Sequence, residues 1–165
     1  MISPRLTYGG GHFFAQARCK GDVHIDDHHT SEDVAITVGQ CLAEALGTKA
    51  GCVRMGWAEG SCGEARVLLC MDLSNRPYFE HDLRPPGEMA GDMSVEMLLH
   101  VFDSLATSAR MTVHVLQLAV GRAEDAALDL ALATAQAFGL ALRQTAAIDP
   151  RRGGATASSK GTLSA

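Results

Sequence analysis

An α+β layer fold is what this sequence predicts, and three observations predict it. Segments with strand-like patterning alternate with helical ones along the chain. A strand followed by a helix occurs at 22–46 and again at 111–144, a faint internal echo. Each of those helices opens on an acidic pair, Glu32-Asp33 and Glu124-Asp125. Antiparallel-looking strands interspersed with helices fit an α+β arrangement better than a parallel βαβ sheet. The 165 residues suit a single domain, 1–165, and 47% hydrophobic content is enough for a sizeable core. Aromatic residues contribute only 5%, so Leu, Val, Ala and Met must do most of the packing.

The elements follow in order. Residues 1–11 are weakly patterned and end in the flexible joint Gly9-Gly10-Gly11. Strands are expected at 13–19 and 22–25, with Gly21-Asp22 as the turn between them. From Thr30 to Leu46 the pattern becomes helical: Thr30 or Ser31 serves as N-cap and Gly47 follows the last apolar residue. Val34, Val38, Cys41, Leu42 and Ala45 give that helix one buried face. Ala65 to Leu73 reads as a buried strand, ended by the turn Ser74-Asn75-Arg76-Pro77. A Pro/Gly-rich loop at 84–91 leads into a helix from Ser94 to Ser108. Residues 111–119 form a strand, and an Ala-rich helix runs from about Ala123 to Gln144. The tail from Asp149, rich in Arg, Gly and Ser, is expected to be extended.

Composition narrows the function classes. A net charge of −5 offers no basic face for nucleic acid. No apolar run approaches the roughly 20 residues of a membrane-spanning helix, the Val67–Met71 run being strand-length. Five cysteines at 19, 41, 52, 62 and 70, with no paired spacing, point to free thiols in a reducing compartment. No secretory leader opens the chain, so an intracellular location is expected.

The chemistry concentrates between His24 and Asp33, where three imidazoles and four carboxylates occupy ten residues. On a helix starting near His28, Glu32 lies one turn on along the same face, so the two can share one ion. His29 is rotated about 100° from His28 and more naturally serves a different ion. Nitrogen and carboxylate donors suit a borderline first-row ion such as manganese, iron or zinc. One motif holds too few ligands. His100 on the second helix and His114 in the late strand are candidates for more, with a hydrogen-bonded core histidine the equal alternative for His114.

Four segments together resemble the imidazoleglycerol-phosphate dehydratase family of histidine biosynthesis. They are Gly21 to Asp33, with its His28-His29-Thr30-Ser31-Glu32; Asp72-Leu73-Ser74-Asn75-Arg76-Pro77-Tyr78, where the family has Gly at the Asn75 position; Met111-Thr112-Val113-His114 with Gln117-Leu118-Ala119; and the tail from Asp149 to Gly161. The resemblance implies a tandem-repeat dehydratase fold (ribosomal protein S5 domain 2-like), here lacking much of the first repeat. It also implies trimers within a larger shell, and manganese ions held between subunits by two His-His-x-x-Glu motifs and further histidines. The reaction implied is dehydration of imidazole glycerol phosphate to imidazole acetol phosphate.

By resemblance, His28, His29, Glu32 and His100 are the metal ligands. Arg54, Arg76, Ser158, Ser159 and Lys160 hold the phosphate of a small-molecule substrate. No residue of the chain is assigned the catalytic proton transfer. Partners implied are a homo-oligomer or a mixed assembly with a full-length paralogue, with no nucleic acid and no membrane. The location is cytoplasmic, or the plastid stroma in a plant or alga. The chain departs from the family pattern in its first residues, at Ser61-Cys62-Gly63-Glu64-Ala65, and at the second His-His-x-x-Glu motif. There Val120 to Leu128 carries no imidazole. Glu124, Asp125 or Asp129 are candidate surrogates, against the plainer reading of an acidic helix start. Alternatives to the enzyme are a non-catalytic assembly or metal-binding homologue, or a truncated gene product.

Overall fold

A computed structural model describes residues 2–9, 12–19 and 28–163, the first two segments by backbone only. Those two segments are strands, β1 (Ile2–Gly9) and β2 (His12–Cys19), paired antiparallel into a two-stranded sheet. The strand at β1 corrects the expectation of weak structure: its partner is supplied by β2 rather than by any pattern of its own. The strand expected at 22–25 and its turn lie outside the described residues, as do His24, Asp26 and Asp27.

Helix α1 (His28–Leu46) is already formed at His28, so Thr30 and Ser31 lie inside it rather than capping it. Helix α2 (Val95–Ser108) starts where expected, with the Ser94 hydroxyl accepting a hydrogen bond from the Met97 N–H at 3.1 Å. The two helices pack side by side. Gly39 makes this possible, because a Cβ there would fall 2.7 Å from Ser108 Cβ and 2.8 Å from the Leu105 carbonyl oxygen. Gly39 meets Leu105 and Ser108, whereas Glu32, seven positions earlier, meets His100, so both helices run in the same sense.

The main sheet has the order β3-β4-β8-β5, built from β3 (Met55–Cys62), β4 (Ala65–Asp72), β5 (Tyr78–His81) and β8 (Thr112–Ala119). Its pairs are antiparallel except β5 with β8, which is parallel. A short hairpin, β6 (Met89–Ala90) with β7 (Met93–Ser94), precedes α2. Alternation along β4 sends Ala65, Val67, Leu69 and Met71 inward, all at most 3% exposed. They meet α3 (Ala126–Ala146), whose Leu130, Ala133, Ala137, Ala141 and Leu142 form the opposing face. The core is almost wholly Leu, Val, Ala and Met, as the composition requires; Phe102 and Phe138 are the buried aromatics among the described residues.

Neither β3 nor β5 is marked by hydrophobic alternation. In β3 the helix-facing positions include Gly56, Ala58 and Gly60, kept small so that α3 can lie close. Its free edge is covered by α3 as well. The Ser61 N–H donates to Gln136 Oε1 at 2.8 Å and the Trp57 N–H to Gln144 Oε1 at 3.0 Å.

α3 begins at Ala126, three residues later than expected, and it is long and apolar enough by composition to cross a membrane. This corrects the reading that no such run exists: small alanines between the leucines disguise it. Half of that stretch is buried, and it packs on β3 and β4 as a core helix does. The tail is also not extended. It forms a 3-10 turn, Pro150–Arg152, capped by the Asp149 carboxylate, which accepts from the Arg151 N–H at 3.0 Å. The backbone from Gly51 to Arg54 zips onto residues 145–155, which draws the C-terminal segment back across the end of the sheet.

Candidate functional site

Two clusters emerge from this architecture. The first sits where α1 and α2 run together. His28 and Glu32 are one helical turn apart on α1, and His100 reaches them from α2. The donor atoms of all three lie within 4.8 Å of one another, and they are the one such group among the described residues. His100 Nε2 stands 3.0 Å from Glu32 Oε1, and the His28 and His100 rings stack at 5.5 Å and 26°. His29 is turned away, exposed, with its ring edge-on to His28 at 5.6 Å, and is not in this group.

That donor set fits a first-row cation. Two ligand atoms each about 2.1 Å from an ion and near a right angle apart are separated by roughly 3 Å, the spacing of His100 and Glu32. The cluster opens into a concavity of about 500 Å³ whose wall adds Glu80 and His81 from β5, and Glu96 and Asp103 from α2. These four escaped the sequence reading. A signal for two of them existed: Glu96 and Asp103 stand four before and three after His100, on one helical face.

The remaining metal candidates lie elsewhere. His114 is exposed on the outer face of the sheet, its ring 5.6 Å from Tyr78. Glu124 and Asp125 are exposed before α3. Asp129 Oδ1 accepts from the Cys62 thiol at 3.4 Å, which pushes that thiol's pKa up, and its carboxylate lies over Gly63. None of the three acidic candidates joins a three-donor group among the described residues.

The second cluster lies where the tail crosses the sheet. Arg54, Arg76, Ser158, Ser159 and Lys160, far apart in sequence, line one concavity of about 420 Å³ together with Ser74 and Thr162. Arg76 follows a tight turn in which the Ser74 hydroxyl accepts from the Arg76 N–H at 3.0 Å and bonds the Thr112 hydroxyl at 2.9 Å. Exposed Arg76 and Lys160, with several hydroxyls between them, suit a tetrahedral oxyanion. Arg54 has a different task in this conformation. Its fork is closed on Asp72, Nε at 2.7 Å and Nη2 at 2.9 Å, and Nη1 donates to the Ala157 carbonyl. Arg54 therefore fastens the tail, and its own charge is matched by Asp72.

Lys49 lies beneath this region, only 2% exposed, with Nζ on Asn75 Oδ1. Burial above all, then Arg110, lowers its pKa to about 8, while Asp72 pulls the other way. Between that value and the ordinary 10.5, the folded chain carries fewer protons here than the unfolded chain. Stability therefore rises with pH across that window, and the cost of the buried charge is fully present below it. Denaturation of wild type and Lys49→Met from pH 8 to 10.5 is expected to show wild type gaining on the variant; parallel profiles would refute the shift.

Comparison with known proteins bears on the family and the fold. The family model for imidazoleglycerol-phosphate dehydratase matches residues 6–142. Imidazoleglycerol-phosphate dehydratase 1, chloroplastic, of Arabidopsis thaliana is 43% identical over 154 residues, covering 93% of this chain and 56% of that protein. The Synechococcus elongatus protein is 42% identical over 144 residues, covering 87% of this chain and 67% of its own. The chain thus spans little more than half the length of the plant relatives it matches. Among solved structures, the Staphylococcus aureus dehydratase superposes with a TM-score of 0.72 at 26% identity, covering 83% of this chain and 75% of that one.

Proposed function

The chain belongs to the imidazoleglycerol-phosphate dehydratase family, and from that premise we propose that it works in the dehydration of imidazoleglycerol phosphate. Its contribution is one metal half-site and the phosphate-holding end of the centre. The observation that carries the reading is convergence. Residues scattered from 28 to 160 gather into one three-donor cluster and one concavity lined by Arg54, Arg76, Lys160 and hydroxyls.

His28, Glu32 and His100 are the residues that would hold manganese, with His29 directed to a second ion. Bound there, the metal would act as a Lewis acid on the substrate's ring and make a neighbouring C–H more acidic. Arg76, Lys160, Ser158 and Ser159 would hold the phosphate and fix the substrate's orientation. Arg54 keeps the tail in place for them.

The start of α3 offers no imidazole, and Asp129 is engaged with Cys62. A full ligand set therefore draws on groups beyond this cluster, which favours a homo-oligomer or a mixed assembly with a full-length dehydratase. The same observation favours, as second reading, a metal-binding assembly subunit that does not itself turn over substrate. The plant and cyanobacterial relatives support a plastid or cytoplasmic setting.

The test is dehydration of imidazoleglycerol phosphate by the manganese-loaded chain, alone and co-assembled with a full-length dehydratase, alongside metal analysis. Turnover that depends on this chain's His28 is expected in at least one of the two. Bound manganese with no such turnover would select the second reading. Absence of both metal and turnover would overturn both.

A further inference from the structure

We infer that Lys49 and Asn75 form a relay that holds the C-terminal tail closed over the oxyanion cavity, which makes both of them positioning residues for the cavity's ligand. The inference rests on the reading of that cavity as the phosphate end of the centre.

A lysine buried to 2% exposure needs a partner, because an unpaired ammonium away from water is costly. Lys49 finds one in the Asn75 side-chain oxygen, at 2.5 Å. The same amide then turns its nitrogen outward and donates to the Leu163 carbonyl. Asn75 thus spends both ends of its side chain, one on the buried ammonium and one on the tail.

Asn75 is placed for this by its backbone. Its φ of 59° is left-handed, a conformation that only glycine and a few residues such as asparagine take readily. Glycine would satisfy the turn between Ser74 and Arg76 equally well. Asparagine satisfies it and adds the two hydrogen bonds, so the relay is a property of the side chain and not of the turn.

The tail is consequently fastened at two points. Arg54 Nη1 holds the Ala157 carbonyl, and Asn75 holds the Leu163 carbonyl, while the Leu163 side chain is itself buried. Between those points lie Ser158, Ser159, Lys160 and Thr162, the tail residues that line the cavity. The span is further closed by the Gly161 N–H on the Ser158 carbonyl at 3.0 Å. A segment fixed at both ends has already lost the freedom that binding would otherwise take from it, so its hydroxyls and ammonium meet an oxyanion preorganised.

Asn75→Gly keeps the turn, since glycine accepts the same φ, but takes the side-chain partner from buried Lys49. Asn75→Asp is the sharper companion: its carboxylate still accepts from Lys49 but has no donor for Leu163. Deuterium uptake by the backbone of 157–163 is expected to rise about tenfold in both variants, the worth of one net hydrogen bond. Uptake in β4 and β8 is expected to stay the same. Affinity for inorganic phosphate, measured by calorimetry, is expected to fall by a similar factor. Arg76→Ala is expected to weaken phosphate without loosening the tail. Unchanged tail uptake in both Asn75 variants would overturn the relay. Unchanged phosphate affinity in Asn75→Gly, with Arg76→Ala weakened, would overturn the positioning role alone. Equal phosphate affinity in wild type and Arg76→Ala would overturn the phosphate reading itself.

Discussion

Cutting His100 back to alanine is expected to weaken manganese binding by about 100-fold or more, with the fold intact. His28 and Glu32 come from a single turn of α1, and a pair of adjacent groups on one helix makes an open, two-donor site. His100 is the donor that arrives from a second element and closes the cluster, 3.0 Å from the Glu32 carboxylate. It lies partly exposed on α2, outside the core that α3 forms with the sheet, so its removal costs the ring contact with His28 but leaves that core undisturbed. His114→Ala is the matched control: it removes an exposed imidazole from another face and is expected to leave metal affinity as it was. Titration of manganese into both variants, with thermal melts alongside, makes the comparison. Equal affinity in His100→Ala and wild type would refute the ligand assignment.

Gly60→Ala is expected to destabilise the fold by about 3 kcal/mol or more, although it adds one methyl group. The new Cβ would fall 2.0 Å from the Ala133 carbonyl oxygen and 2.8 Å from the Ala137 nitrogen. Both are helix backbone, so no side chain can rotate aside. Relief requires α3 to lift from β3, which opens the contact that buries Ala133 and Ala137 at 0% exposure. A chain of this size loses roughly 2–4 °C in melting temperature per kcal/mol, so a fall of about 10 °C is expected. Gly139→Ala serves as the counterpart. That glycine is inside α3, exposed, with nothing within 4 Å of an added Cβ. There alanine is expected to stabilise by about 0.5–1 kcal/mol through helix propensity and a less flexible unfolded chain. Two alanines of opposite sign, read by calorimetry, separate close packing from propensity; equal melting temperatures would contradict the packing account.

Much of the fold was legible because local patterns carry it. The strand through Val67, Leu69 and Met71 alternates, the strand at 112–119 has β-branched and apolar residues, and Ser94 announces its helix. β3 was illegible for the opposite reason. Its inward positions are glycine and alanine, chosen by the approach of α3, and a strand without apolar alternation leaves no periodic trace. β5 is four residues long, with an exposed Tyr78 and Glu80, and owes its strand geometry to its parallel partner β8.

The spacing of the candidate ligands on α1 is what the sequence determined by itself. Helical pitch alone puts His28 and Glu32 one turn apart and turns His29 aside, because positions on one helix are set by a rigid repeat of about 100° per residue. The tertiary structure decided everything that crosses between elements. It chose His100 over His114 as the histidine beside Glu32, through the close α1–α2 contact at Gly39. It closed the fork of Arg54 on Asp72, and it buried Lys49 under Asn75. Such partners depend on how distant surfaces pack, and packing is settled by the whole core at once rather than by any spacing along the chain.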